Sequence, residues 1–116
     1  MKTDVTEIAR GVHRISTFQP DFFCSDLFFQ PGEPPPLTEA DIVGPAAHAL
    51  REGAKGPLAN DIPCTPHTDA TLQRLAALEP RTLAVMHGSS YRGDGGRAVR
   101  ELAAVIRVEL GKPVRP

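Results

Sequence analysis

Proline placement does most to limit what this chain can become. Twelve of its 116 residues are proline, and they fall where they cut. The run Gln30-Pro31-Gly32-Glu33-Pro34-Pro35-Pro36 cannot be helix, and Pro has no amide to give to a sheet ladder. It reads as an extended surface connection. Pro20 and Pro31 bracket a second feature, Phe22-Phe23-Cys24-Ser25-Asp26-Leu27-Phe28-Phe29, which holds four of the five phenylalanines. An apolar run of that length between breakers suits a buried strand. It carries one carboxylate, Asp26, and a buried carboxylate is costly unless it is paired or bound to metal.

The remaining elements follow from local signals. Thr6-Glu7-Ile8 and Val12-His13-Arg14-Ile15 flank Gly11 and predict two short strands around a glycine turn; β-branched content carries this reading more than strict alternation does. Thr38 is the expected N-cap of a helix over 39–52, with Val43, Ala46, Ala47 and Leu50 on one face and Gly44-Pro45 as a kink. Thr65-Pro66 predicts a second helix over 66–78, with proline at its favoured first position and Leu72, Leu75, Ala76 and Leu78 as the apolar stripe. Thr82–Met86 reads as a short strand that delivers His87, followed by a loop over 88–93. Asp94 then caps a helix over 95–110, where Val99, Leu102, Ala103, Ile106 and Leu110 recur at i, i+3, i+4, i+7 and i+11. The fold class expected is α+β: one small sheet of three or four strands, from the hairpin, the phenylalanine-rich run and Leu83–Met86, covered by about three helices.

Bulk composition excludes several classes of function. A net charge of −1 leaves no electrostatic footprint for nucleic acid or an anionic membrane. No stretch approaches the roughly 20 apolar residues that span a bilayer. Met1-Lys2-Thr3-Asp4 has one basic residue and no apolar run behind it, so it does not read as a signal peptide. The cytoplasm is the expected compartment, with Cys24 and Cys64 reduced.

Two positions share one arrangement, a ligand-type side chain beside an apolar strand. Asp26 and His87 are the candidate metal ligands, since carboxylate and imidazole both suit zinc, iron or manganese. The plainer reading is that backbone groups satisfy each of them. Cys64-Thr65-Pro66-His67 has C-x-x-H spacing, and a Cys64/His67/Cys24/His87 zinc site is chemically allowed, although Pro66 at a helix start explains that segment without metal. His13 and His48 read as surface or core-edge residues. Gly93-Asp94-Gly95-Gly96 lacks the Walker lysine and reads as a capped helix start. His87-Gly88-Ser89-Ser90 has the look of an oxyanion loop, but the chain has no G-x-S-x-G nucleophile elbow.

Glu7–Ile15 resembles the opening hairpin of metallo-β-lactamase-fold proteins, particularly the flavodiiron and oxygen-binding di-iron group. Phe23-Cys24-Ser25-Asp26-Leu27-Phe28 is similar to that family's later strand, whose aspartate bridges two metals. Pro80–Ser90 is similar to the segment carrying its final metal-binding histidine, and Gly93-Asp94-Gly95 opens a C-terminal helix as the family's does. The resemblance implies a partial αββα fold in a single domain over 1–116, with 1–20 as opening hairpin and 21–116 as the C-terminal part. It implies Asp26 and His87 as remnants of a metal site.

The departure is as informative. The family's H-x-[HE]-x-D cluster lies between hairpin and aspartate strand, yet here Thr17-Phe18-Gln19-Pro20-Asp21 joins those regions directly. An intact domain of this type takes about 200 residues or more. The resemblance therefore implies a truncated protein without catalysis of its own, no cofactor in this chain, and zinc, iron or manganese if a site survives. One alternative is a small interaction protein that pairs with itself, as a homo-oligomer, or with an intact relative. Another is a metal-dependent hydrolase or di-iron oxidoreductase completed by a partner chain that brings the missing cluster.

Overall fold

The computed structural model describes residues 3–17, 34–56, 64–86 and 88–111. Among them are three helices and two small sheets, a mixed α+β arrangement. In chain order they are β1 (Thr3–Ala9), β2 (Val12–Thr17), β3 (Leu37–Thr38), α1 (Val43–Gly53), α2 (Thr68–Ala77), β4 (Thr82–Leu83), β5 (Ser90–Arg92) and α3 (Gly95–Leu110). They divide into two compact units. One contains the described residues up to Ala40 together with those of Arg81–Gly93, and the other contains those of Asp41–Pro80 and from Asp94 onward.

The first unit is all β. Strands β1 and β2 pair antiparallel, from Thr3 opposite Thr17 to Glu7 opposite His13, and the register then slips so that Ala9 faces Val12. Gly11 makes the turn at a φ of 74°, a left-handed conformation that glycine adopts without steric cost. The Glu7 carboxylate accepts the Gly11 amide at 3.1 Å and pins that turn. Both strands are longer than local sequence predicts, because ladder pairing extends them through residues with little strand signal of their own. Alternation is present but inverted. Val5 and Ile15, directly opposite one another, point outward at 65% and 73% exposure. Asp4, Thr6, Arg14 and Ser16 occupy the half-buried side, while Ile8, at the register slip, is buried.

The second sheet has the order β3-β5-β4. Leu37 and Thr38 run parallel to Ser90 and Tyr91, and Thr82 and Leu83 run antiparallel to Arg92 and Tyr91. This corrects the sequence reading at several points. Residues 90–92, expected as loop, form the central strand, and the strand expected over Thr82–Met86 stops at Leu83. Thr38 is a strand residue rather than a helix cap. The hairpin is its own two-stranded sheet, so the described strands do not form the single sheet expected. The phenylalanine-rich run lies outside the described residues.

The second unit is helical. Helix α1 begins at Val43, not at 39, because Asp41 does the capping: its carboxylate oxygens accept the Val43 and Gly44 amides at 2.9 and 3.1 Å. Pro45 then falls in the first turn, where its missing amide has no intrahelical partner to lose, and α1 runs through it as one helix. Ahead of α2, Thr65 Oγ1 accepts the His67 amide at 3.2 Å and Thr68 Oγ1 accepts the Thr65 amide at 2.9 Å. The Thr68 amide donates to the Thr65 carbonyl at 3.1 Å, so these bonds close a turn over 65–68 and the helix begins at Thr68 rather than at 66. Helix α3 starts where the sequence places it, with Asp94 Oδ1 accepting the Arg97 amide at 2.9 Å.

Helix α3 packs against both α1 and α2. The side chains at these contacts are small: Ala47, Ala76, Ala98 and Ala103 are buried with Val99. Leu75 and Leu78, expected on the stripe of α2, are exposed. The helix ends at Ala77 with Leu78 as its C-cap, and Glu79 follows in a left-handed conformation at a φ of 49°. The Glu79 carboxylate pairs with Arg100 on α3, and Asp69 pairs with Arg107 at 2.5 Å. Such exposed pairs are each worth about 0–1 kcal/mol, so the apolar contacts carry the packing. No described helix is long and apolar enough to cross a membrane.

Candidate functional site

Asp26 and His87, the residues the sequence nominates as metal ligands, both fall outside the described residues. The connection that holds position 87 is described on either side. It leaves β4 at Leu83, passes Ala84, Val85 and Met86, turns through Gly88 at a φ of 76° and enters β5 at Ser90. Because β4 and β5 pair antiparallel, this is a hairpin loop projected from the edge of a three-stranded sheet. Met86, at 86% exposure, stands out from it.

A polar cluster fastens the base of the loop. Ser90 is fully buried, and a buried hydroxyl left without partners costs about 1–3 kcal/mol. Its Oγ accepts the Val85 amide at 3.3 Å across the loop and the Arg14 guanidinium, from β2, at 3.4 Å. The Ser90 amide donates to the Pro36 carbonyl at 3.1 Å, and Arg14 donates to that same carbonyl at 3.3 Å. Arg14 is held in turn by Ser16, whose hydroxyl accepts from Nε at 2.8 Å. Arg92 makes a second link to the hairpin, donating to the Ile8 carbonyl at 3.3 Å. The side chains that make these bonds, Arg14, Ser16, Ser90 and Arg92, are guanidiniums and hydroxyls suited to holding a loop in place.

Sequence reasoning missed this cluster. Arg14 and Ser90 lie 76 positions apart, and no local pattern marks either of them.

The other ligand-type residues do not assemble into a metal centre. Among the described residues no three or more His, Cys, Asp and Glu side chains come together in a way that could hold an ion. Cys64 is an exposed free thiol ahead of α2; its proposed companions Cys24 and His87 lie outside the described residues. His13 sits on the open face of the hairpin 3.8 Å from Glu7, with both side chains about half exposed, and His48 is exposed on α1. The glycine-rich start of α3 behaves as a capped helix: Gly95 donates to the Pro80 carbonyl at 2.9 Å and Arg97 to Asp94. The Glu52 carboxyl is drawn below its ordinary value by the hydrogen bond and charge of Lys55 one helical turn away. That pair lies at the C-terminal end of α1, with Lys55 just beyond the helix.

Comparison with family models, with curated proteins and with solved structures returns no match.

Proposed function

We propose that this chain is a metallo-β-lactamase-like remnant with no catalysis of its own. One observation carries the reading: the succession of β4, the loop holding position 87, β5 and the Asp94-capped α3. Apart from the added strand β5, it has the order of strand, histidine loop and helix with which the family closes. The antiparallel hairpin over 3–17 suits the family's opening pair. Lack of catalysis follows from ligand arithmetic. A catalytic zinc takes three protein ligands plus water, and this sequence, lacking H-x-[HE]-x-D, supplies Asp26 and His87. Elemental analysis of chelator-free protein tests the proposal, with Asp26→Ala and His87→Ala measured beside the parent. The expected result is zinc, iron and manganese well below one ion per chain in all three. Stoichiometric metal in the parent that both substitutions remove would overturn it.

A second reading, self-association through the hairpin, is favoured by one specific observation. Val5 and Ile15 form a cross-strand apolar pair on the exposed face of a two-stranded sheet. Pairs of β-branched residues on an open face invite a covering surface, and unpaired strand edges template pairing. Sedimentation at rising concentration is expected to show a reversible dimer that Val5→Thr with Ile15→Thr weakens by about tenfold or more, since each change trades a buried apolar group for a hydroxyl. A monomer at every concentration discards this reading.

A further inference from the structure

We propose that Arg14 and Ser90 form a latch through which the β1–β2 hairpin sets the order of the 84–89 loop. The inference stands apart from the proposed function, since it holds whether or not position 87 ever binds metal. Its basis is that one buried oxygen serves two donors from different parts of the chain. Ser90 Oγ receives the Val85 amide, which belongs to the loop, and the Arg14 guanidinium, which belongs to the hairpin. At 3.3 and 3.4 Å both hydrogen bonds are long, so neither is strong alone. A serine Oγ moves among the staggered χ1 rotamers. Donation from Arg14 favours the rotamer in which Oγ also faces Val85.

The same guanidinium nitrogen, Nη1, reaches a second acceptor, the Pro36 carbonyl at 3.3 Å, which already receives the Ser90 amide. Arg14 thus grips β5 at its first residue and the chain just ahead of β3. Ser16 holds Nε at 2.8 Å and keeps Nη1 aimed. Loosening Arg14 frees the hydroxyl, and the loop loses the bond across its base. Local openings of this kind show in the exchange of single amides, and do not require the whole domain to unfold.

Amide hydrogen exchange on the full chain tests the latch, comparing the parent with Ser90→Ala, Arg14→Lys and Arg14→Met. In Ser90→Ala the Val85 amide is expected to exchange about fivefold faster, the factor that loss of one net hydrogen bond gives. The distinguishing result is that both Arg14 variants also speed the Val85 amide, which has no bond to Arg14, while cross-strand amides of β1 and β2 and the amides of α3 keep their protection. Lysine retains the charge and a terminal donor but loses the Nε bond to Ser16 that aims Nη1, so its siding with methionine assigns the effect to geometry. Unchanged Val85 exchange, in either Arg14 variant whose hairpin amides remain protected, overturns the latch. So does acceleration at Val85 that only keeps step with the hairpin and α3.

Discussion

Replacing Gly95 by alanine is expected to destabilise the helical unit by about 2 kcal/mol, although alanine is the better helix former. Gly95 opens α3 with its amide bonded to the Pro80 carbonyl at 2.9 Å, and a Cβ at this position would overlap that carbonyl's oxygen. The obstacle is backbone, which cannot swing aside as the end of a flexible side chain would. Overpacking of this kind costs about 1–3 kcal/mol, and the helical preference for alanine returns about 1 kcal/mol at most, so the clash wins. Thermal unfolding followed by circular dichroism should place the variant's midpoint about 10 °C below the parent's. The control is Gly53→Ala at the end of α1, where a Cβ meets nothing within 4 Å. That change should raise stability by about 0.5–1 kcal/mol, because it restricts the unfolded chain without straining the native one. If both substitutions moved the midpoint the same way, the close approach of α3 to Pro80 would be wrong.

How much of the fold the sequence discloses depends on how far each element's partners lie along the chain. Helix α3 is legible to the residue: Asp94 caps it, and Val99, Leu102, Ala103, Ile106 and Leu110 are all at least half-buried, since cap and stripe are local signals. The hairpin is legible because its partners adjoin Gly11. The second sheet is not. Ser90-Tyr91-Arg92 becomes a central strand by pairing with Leu37-Thr38 more than 50 positions earlier, and two or three residues give no period to read. Thr38 and Asp41 compete for one cap, and only the structure shows the carboxylate in place. The inverted alternation of the hairpin escapes sequence reading for a physical reason. Arg14 is half-buried because Pro36 and Ser90 supply acceptors for it, whereas Val5 and Ile15 lie on the open side. The candidate site divides along the same line. Asp26 and His87 are nominated by residue type and resemblance, both readable in one dimension. The Arg14–Ser90 cluster exists only through contacts between distant segments.

Two positions before Gly95, a second glycine substitution should strike the other unit. Gly93 closes β5 at a φ of 153°, in a region that side-chain-bearing residues rarely enter, and its amide donates to the Arg81 carbonyl at 3.0 Å. A Cβ here would lie 2.5 Å from Tyr91 Oη and 2.8 Å from Cζ. Backbone strain of this kind costs about 1–3 kcal/mol, and displacing the Tyr91 ring, which is buried, adds to it. Gly93→Ala is therefore expected to cost about 3 kcal/mol. The division between units falls between Gly93 and Asp94, so the two glycine variants should differ in where protection is lost. Amide exchange in Gly93→Ala should rise most at Ser90, whose partner is Pro36, and in the β4–β5 ladder that Gly93 closes, while the α3 amides change least. In Gly95→Ala the order should reverse, with Ala98 and the rest of α3 losing most. Equal loss across both units in both variants would mean that they unfold as one cooperative body. In that case the stability of the loop at position 87 could not be adjusted without adjusting the whole chain.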